Sequence, residues 1–139
     1  MNNNYIFVQF KSCPENERIA RQIIAHFVAE MNPTIDEMCD IKTAVSEAVT
    51  NAVVHGYKNS SGVIFLSAEI IKNDLIVEIT DKGCGIEDIE QAKQPLFTSQ
   101  PELERSGMGF TVMETFMDSL EVISCPGAGT KVTMRKTIG

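Results

Sequence analysis

Two apolar ladders at helical spacing set the problem that this chain has to solve. Ile19, Ile23, Phe27 and Met31, with Ala20, Ile24 and Val28 beside them, recur every three or four residues. Ile41, Ala44, Val45, Ala48, Val49, Ala52 and Val53 do the same. Each ladder coats one face of a helix, and such a face must be buried against something. The boundaries are marked. Ser12-Cys13-Pro14-Glu15 and Thr34-Ile35-Asp36-Glu37 both carry the capping-box pattern, and Pro14 suits a first helical turn. Pro33 stops the first ladder, and His55-Gly56 reads as the C-cap of the second.

The surface for these helices comes from five strand-like runs. They are Tyr5 to Lys11, Val63 to Ile71, Leu75 to Thr80, Leu120 to Ser124 and Thr130 to Lys136. Lys72-Asn73-Asp74 is a tight hairpin connection, and Pro126-Gly127-Ala128-Gly129 closes another. A third helix is expected from Gly107 to about Met117, with Phe110, Met113 and Met117 on one face. The order β-α-α-β-β-loop-α-β-β predicts one α/β domain over residues 1–139. It is an α+β two-layer sandwich, with a mixed, mainly antiparallel sheet and helices on one face.

Composition removes several classes. With 43% hydrophobic and 22% charged residues the chain is neither disordered nor collagen-like. A net charge of −7 argues against nucleic acid as a direct partner, because phosphate contacts need clustered Lys and Arg. The start lacks a basic segment followed by an apolar run, and unbroken apolar runs reach only four residues. No membrane association and a cytoplasmic location are expected. Cys13, Cys39, Cys84 and Cys125 show no metal-ligand spacing and read as reduced, mostly buried thiols.

Four polar clusters interrupt this apolar pattern. Glu47, Asn51 and His55 recur at four-residue spacing along one flank of the second ladder, where polar groups are half-buried and need partners or a function. A solvated strip with a capping histidine gives the same spacing. Asp81-Lys82-Gly83-Cys84-Gly85 follows directly on a strand, so Asp81 can present an acceptor-only carboxylate beside glycines that admit a ligand. A plain β-turn has the same composition. Ser106-Gly107-Met108-Gly109 opens a helix whose free N–H groups suit phosphate, with Arg105 as a charge partner, although a glycine pair there also has local causes. Gly129-Thr130 opens the last strand, where Thr130 could bond a base or simply form a hairpin. Between these clusters, 81–106 holds Gly83, Gly85, Pro95 and Pro101, no sustained period, and one expected helical turn near 88–92. Loops of that length in compact domains are usually functional or mobile.

Taken in order, Glu-x-x-x-Asn on a helix, Asp-x-Gly-x-Gly after a strand, the long loop, Gly-x-Gly at a helix start and a late Gly-Thr resemble the GHKL (Bergerat) ATP-binding fold. That fold is shared by DNA gyrase, heat-shock chaperones, mismatch-repair ATPases and histidine kinases. No Walker-type loop is present. The stretches Ile41 to Ala52, Pro95-Leu96-Phe97-Thr98 and Pro101 to Phe110 look like the anti-sigma factor serine kinases of sporulating Gram-positive bacteria.

The resemblance implies a protein serine/threonine kinase that uses ATP with Mg²⁺, forms ADP and phosphorylates an anti-anti-sigma factor. It also implies a homodimer that binds and inhibits a sporulation sigma factor. On this basis Glu47 is the catalytic base and Asn51 the Mg²⁺ ligand. Asp81 takes the adenine amino group, and Gly83 and Gly85 leave room for the nucleotide. Ser106, Gly107, Met108 and Gly109 bind phosphates, Arg105 senses the γ-phosphate, and Thr130 completes the ATP site. Arg21 on the first helix is the candidate docking residue, beside the reading of a plain solvated face. A histidine-kinase ATPase domain and a non-enzymatic ATP-binding module are the alternatives. The first is disfavoured because no dimerisation helix is expected before Tyr5, and the second because Glu47 has no use in a pure binder.

Overall fold

The computed structural model describes residues 3–58, 60–86 and 109–139. Five strands form one sheet: β1 (Asn4–Lys11), β2 (Val63–Ile71), β3 (Asp74–Asp81), β4 (Ser119–Cys125) and β5 (Gly129–Thr137). Their spatial order is β1-β2-β3-β5-β4, and every neighbouring pair is antiparallel. The sheet expected to be mixed is therefore antiparallel throughout the described residues. Helices α1 (Glu15–Val28) and α2 (Ile35–Asn51) connect β1 to β2, and α3 (Gly109–Phe116) precedes β4.

Residues directly opposite in an antiparallel pair share a face, so the register defines rungs across the sheet. One inward rung is Val8, Leu66, Ile79, Val132 and Val122, and the next is Ile6, Ala68, Val77, Met134 and Leu120. The ladder of α2 lies on these rungs, whereas α1 is turned so that Ala20, Ile24 and Val28 face the sheet, Ile23 and Phe27 are half-buried and Ile19 is exposed. Ala20, Ile24, Val28, Ile41, Val45 and Val49 join Leu66, Val77, Ile79 and Met134 in one buried cluster, which α3 completes with Phe110 and Met113. The outer face has no helix over it in the described residues and exposes Tyr5 and Phe7. No described helix is long and apolar enough to cross a membrane.

Several boundaries differ from the expected ones for local reasons. The Thr34 capping box forms: Thr34 Oγ1 accepts the Glu37 N–H at 3.0 Å, and the Glu37 carboxylate accepts the Thr34 N–H at 2.8 Å. The Ser12 box does not. Pro14 occupies the N-cap of α1 without a side-chain cap, while the buried Ser12 hydroxyl donates to the Ser60 carbonyl at 3.2 Å. Ser12 thus ties the end of β1 to the approach of β2. The first ladder tightens into a 3₁₀ turn at Ala29–Met31 and ends on Asn32 in the left-handed region, with φ 54°. The hairpin turn needs only Lys72 and Asn73, with Lys72 at φ 56°. The cysteines are all free, but Cys39, Cys84 and Cys125 are exposed and Cys13 half-buried, which overturns the expectation of mostly buried thiols. Thr34→Ala is expected to lower the unfolding free energy by about 1 kcal/mol in a urea titration, whereas Thr34→Ser stays near wild type.

Candidate functional site

The inward face of the sheet turns polar at one end. The rung after Leu66 and Ile79 is Phe10, Ile64, Asp81, Thr130 and Ser124. Asp81 is only 5% exposed and Thr130 9%. The Asp81 carboxylate accepts the Gly83 N–H at 2.8 Å and is also bonded by the Thr130 backbone. Burial pushes its pKa upward, and these two backbone donors only partly offset that. An acceptor-only group with costly burial is thereby held at the end of an otherwise apolar layer.

The end of α2 is fitted to this carboxylate. After Asn51 the helix widens into a π-helical turn over Ala52–Gly56, closed by the Tyr57 N–H on the Ala52 carbonyl at 3.0 Å. Such turns concentrate at functional sites. Gly56 does not act as the left-handed cap expected of it; Lys58 takes that conformation, with φ 51°. Gly56 is required by the close approach instead, because a Cβ there would lie 2.8 Å from the Asp81 carboxyl atoms. Tyr57 staples the turn in place. Its hydroxyl donates to the Val63 carbonyl at 2.6 Å and accepts the Lys82 N–H at 2.7 Å. The π turn also ends the four-residue polar spacing, so His55 does not continue the strip of Glu47 and Asn51 in regular register. Its carbonyl lies 3.2 Å from the Cys84 thiol.

Gly83 and Gly85 serve the protein's own packing. A Cβ on Gly83 would overlap the Gly56 carbonyl, and one on Gly85, at φ 78°, would overlap the Cys125 carbonyl. In each case the side-chain direction is closed by backbone, which is reason enough for a glycine there. Gly109 does face a site residue: a Cβ there would stand 3.0 Å from both Oδ1 and Nδ2 of Asn51. Asn51 and Glu47 are half-buried on consecutive turns at the end of α2. The structure thus gathers Asn51, Gly56, Asp81, Gly83, Gly109 and Thr130 around the end of α2 and the polar rung.

Arg105, Ser106, Gly107 and Met108 lie outside the described residues, as does the helical turn expected near 88–92. Arg21 stands apart on α1, its guanidinium 3.8 Å from Glu17, which also accepts the Ser46 hydroxyl. Sequence reasoning missed Tyr57 and Ser124. Ser124 carried a signal: it is the polar member of an inward alternation with Leu120 and Val122.

The sequence profile of the histidine kinase-like ATPase domain matches residues 10–136. An anti-sigma F factor of Clostridium beijerinckii is 57% identical over 137 residues, covering 98% of this chain and 96% of that protein. One from Caldanaerobacter subterraneus is 56% identical over 137 residues, with 99% and 96% covered. The chain belongs to the histidine kinase-like ATPase family, in the branch of the anti-sigma F factors. Two solved structures share the fold. The RsbU and RsbW domains of a Mycobacterium tuberculosis protein match with TM-score 0.71 at 20% identity, over 97% of this chain and 32% of that one. The catalytic domain of the histidine kinase ThkA matches with TM-score 0.56 at 17% identity, over 96% and 97%.

Gly56→Ala is expected to cost roughly 1–3 kcal/mol through overpacking against Asp81, read as a lower urea midpoint. Wild-type stability in that variant would contradict the close approach described for the π turn.

Proposed function

We propose that this chain is an anti-sigma factor and an ATP-dependent protein serine kinase, folded as a single domain over its length. The observation that carries the reading is the buried Asp81 carboxylate, held beside bare Gly56 on the polar rung. Such a group can accept from the amino group of adenine. Thr130 stands next to it on the same rung. Asn51 provides a side-chain oxygen at the end of α2, a donor that fits a hard cation retaining several waters, and Glu47 stands one turn before it. Asn51 would hold Mg²⁺, which when bound neutralises charge on the phosphate oxygens.

In the reaction, the serine hydroxyl oxygen of an anti-anti-sigma factor attacks the γ-phosphorus. The bond to the β–γ bridging oxygen breaks, ADP departs, and Glu47 takes the serine proton. Gly109, with Ser106, Gly107 and Met108 before it, would present amides to the phosphates at the start of α3. Arg105 would contact the γ-phosphate. In its other role the protein, as a cytoplasmic homodimer, binds a sporulation sigma factor and keeps it inactive, with Arg21 as a docking residue. The names of its relatives support the sigma-factor role.

Incubation with γ-labelled ATP and a purified anti-anti-sigma factor tests the kinase reading. Acid-stable phosphoserine on the partner is expected. Base-stable, acid-labile phosphohistidine would move the chain to histidine-kinase chemistry instead. Glu47→Gln is expected to bind ATP near wild-type strength while losing at least about 100-fold in transfer rate, the usual contribution of a general base. Undiminished transfer by that variant would remove Glu47 from the role.

A further inference from the structure

Ser124 closes the polar rung on the edge strand β4, and its hydroxyl sits in three contacts. The Ile86 N–H donates to Ser124 Oγ at 2.7 Å. Ser124 Oγ donates to the Gly129 carbonyl at 3.0 Å. Thr130 Oγ1 lies 2.8 Å from the same oxygen. A serine hydroxyl has one proton and two lone pairs. The Gly129 carbonyl can only accept, so it takes that proton, and the Ile86 amide uses one lone pair. With both of those bonds made, the remaining contact has one polarity: Thr130 donates its proton to Ser124. Thr130 Oγ1 is then left with lone pairs alone.

We propose that Ser124 is a positioning residue for base selection, fixing Thr130 as a hydrogen-bond acceptor beside the acceptor carboxylate of Asp81. This rests on the reading of that rung as the pocket for the nucleotide base. A pocket end lined by Asp81 and an acceptor Thr130 is complementary to an exocyclic amino group and opposed to a carbonyl in its place. Ser124 therefore acts through Thr130 and does not itself touch the base. Its second bond, to Ile86, holds the Gly85–Ile86 backbone against β4 and so keeps the Ser124 oxygen oriented.

Removing the Ser124 hydroxyl frees the Thr130 proton. The threonine is then no longer confined to accepting and can rotate to donate, so that a carbonyl suits the site as well as an amino group does. The experiment compares dissociation constants for ATP and for inosine triphosphate, which carries a carbonyl where ATP has the amino group, in the full chain. The wild type is expected to prefer ATP. Ser124→Ala is expected to lower the ATP-to-ITP preference on the order of 10-fold, the size of one lost hydrogen bond, with ITP binding unchanged or tighter. Ser124→Thr, which retains the hydroxyl, keeps the preference. Ser124→Cys, with a weak acceptor of similar size, lowers it, and serves if the alanine variant does not fold. A merely structural role would weaken both nucleotides together and leave their ratio unchanged, which would overturn the proposal while leaving the ATP reading intact. A wild-type chain that binds neither nucleotide would overturn that reading itself.

Discussion

The placement of one carboxylate organises this molecule. Asp81 belongs by register to the inward face of an antiparallel sheet, where its neighbours along the strand are Ile79 and Val77. Burial raises its pKa and makes its charged form costly. The fold meets that cost with backbone donors from Gly83 and Thr130, and it brings Gly56 close enough that no side chain fits between. The π turn, the Tyr57 hydroxyl bridging Val63 and Lys82, and the glycine at position 83 all follow from holding the end of α2 against this spot.

The apolar rungs below give that arrangement its rigidity. α1, α2 and α3 share one buried cluster with β2, β3 and β5, so the last turn of α2 cannot shift without disturbing Val45, Val49 and Met134. Interiors packed at crystal-like density resist such shifts. The polar site is therefore the margin of a stiff core, with Asp81 and Thr130 themselves buried. Glu47 and Asn51 sit on the same helix that supplies Ala44, Ala48 and Val49 to that core.

The architecture was legible because period and alternation are physical consequences of burial. The second ladder became the buried face of α2, while on α1 the buried line is Ala20, Ile24 and Val28 and leaves Ile19 exposed; Thr34 with Glu37 made the reciprocal cap that their spacing predicted. Ser12 had the same local pattern, yet a tertiary partner at Ser60 took its hydroxyl, and no local rule anticipates that competition. Gly56 was legible as a glycine with a reason, but the reason lay 25 residues away in Asp81. The regular i, i+4 strip failed at His55 because a π turn adds a residue that periodicity does not encode. Asp81 and Thr130 were identified separately as a strand-end acid and a hairpin residue. Only the register places them on one rung with Ser124, whose inward position the alternation of β4 already implied.

If the polar rung and the end of α2 form a nucleotide site, ATP must perturb both together. Amide chemical-shift mapping with ATP and Mg²⁺ tests it most directly. The largest shifts are expected on Gly56, Gly83, Gly109 and Thr130, with the Asn51 side-chain amide among them. Shifts centred elsewhere, for example on Asn73 and Ile138 at the far end of the sheet, would contradict it.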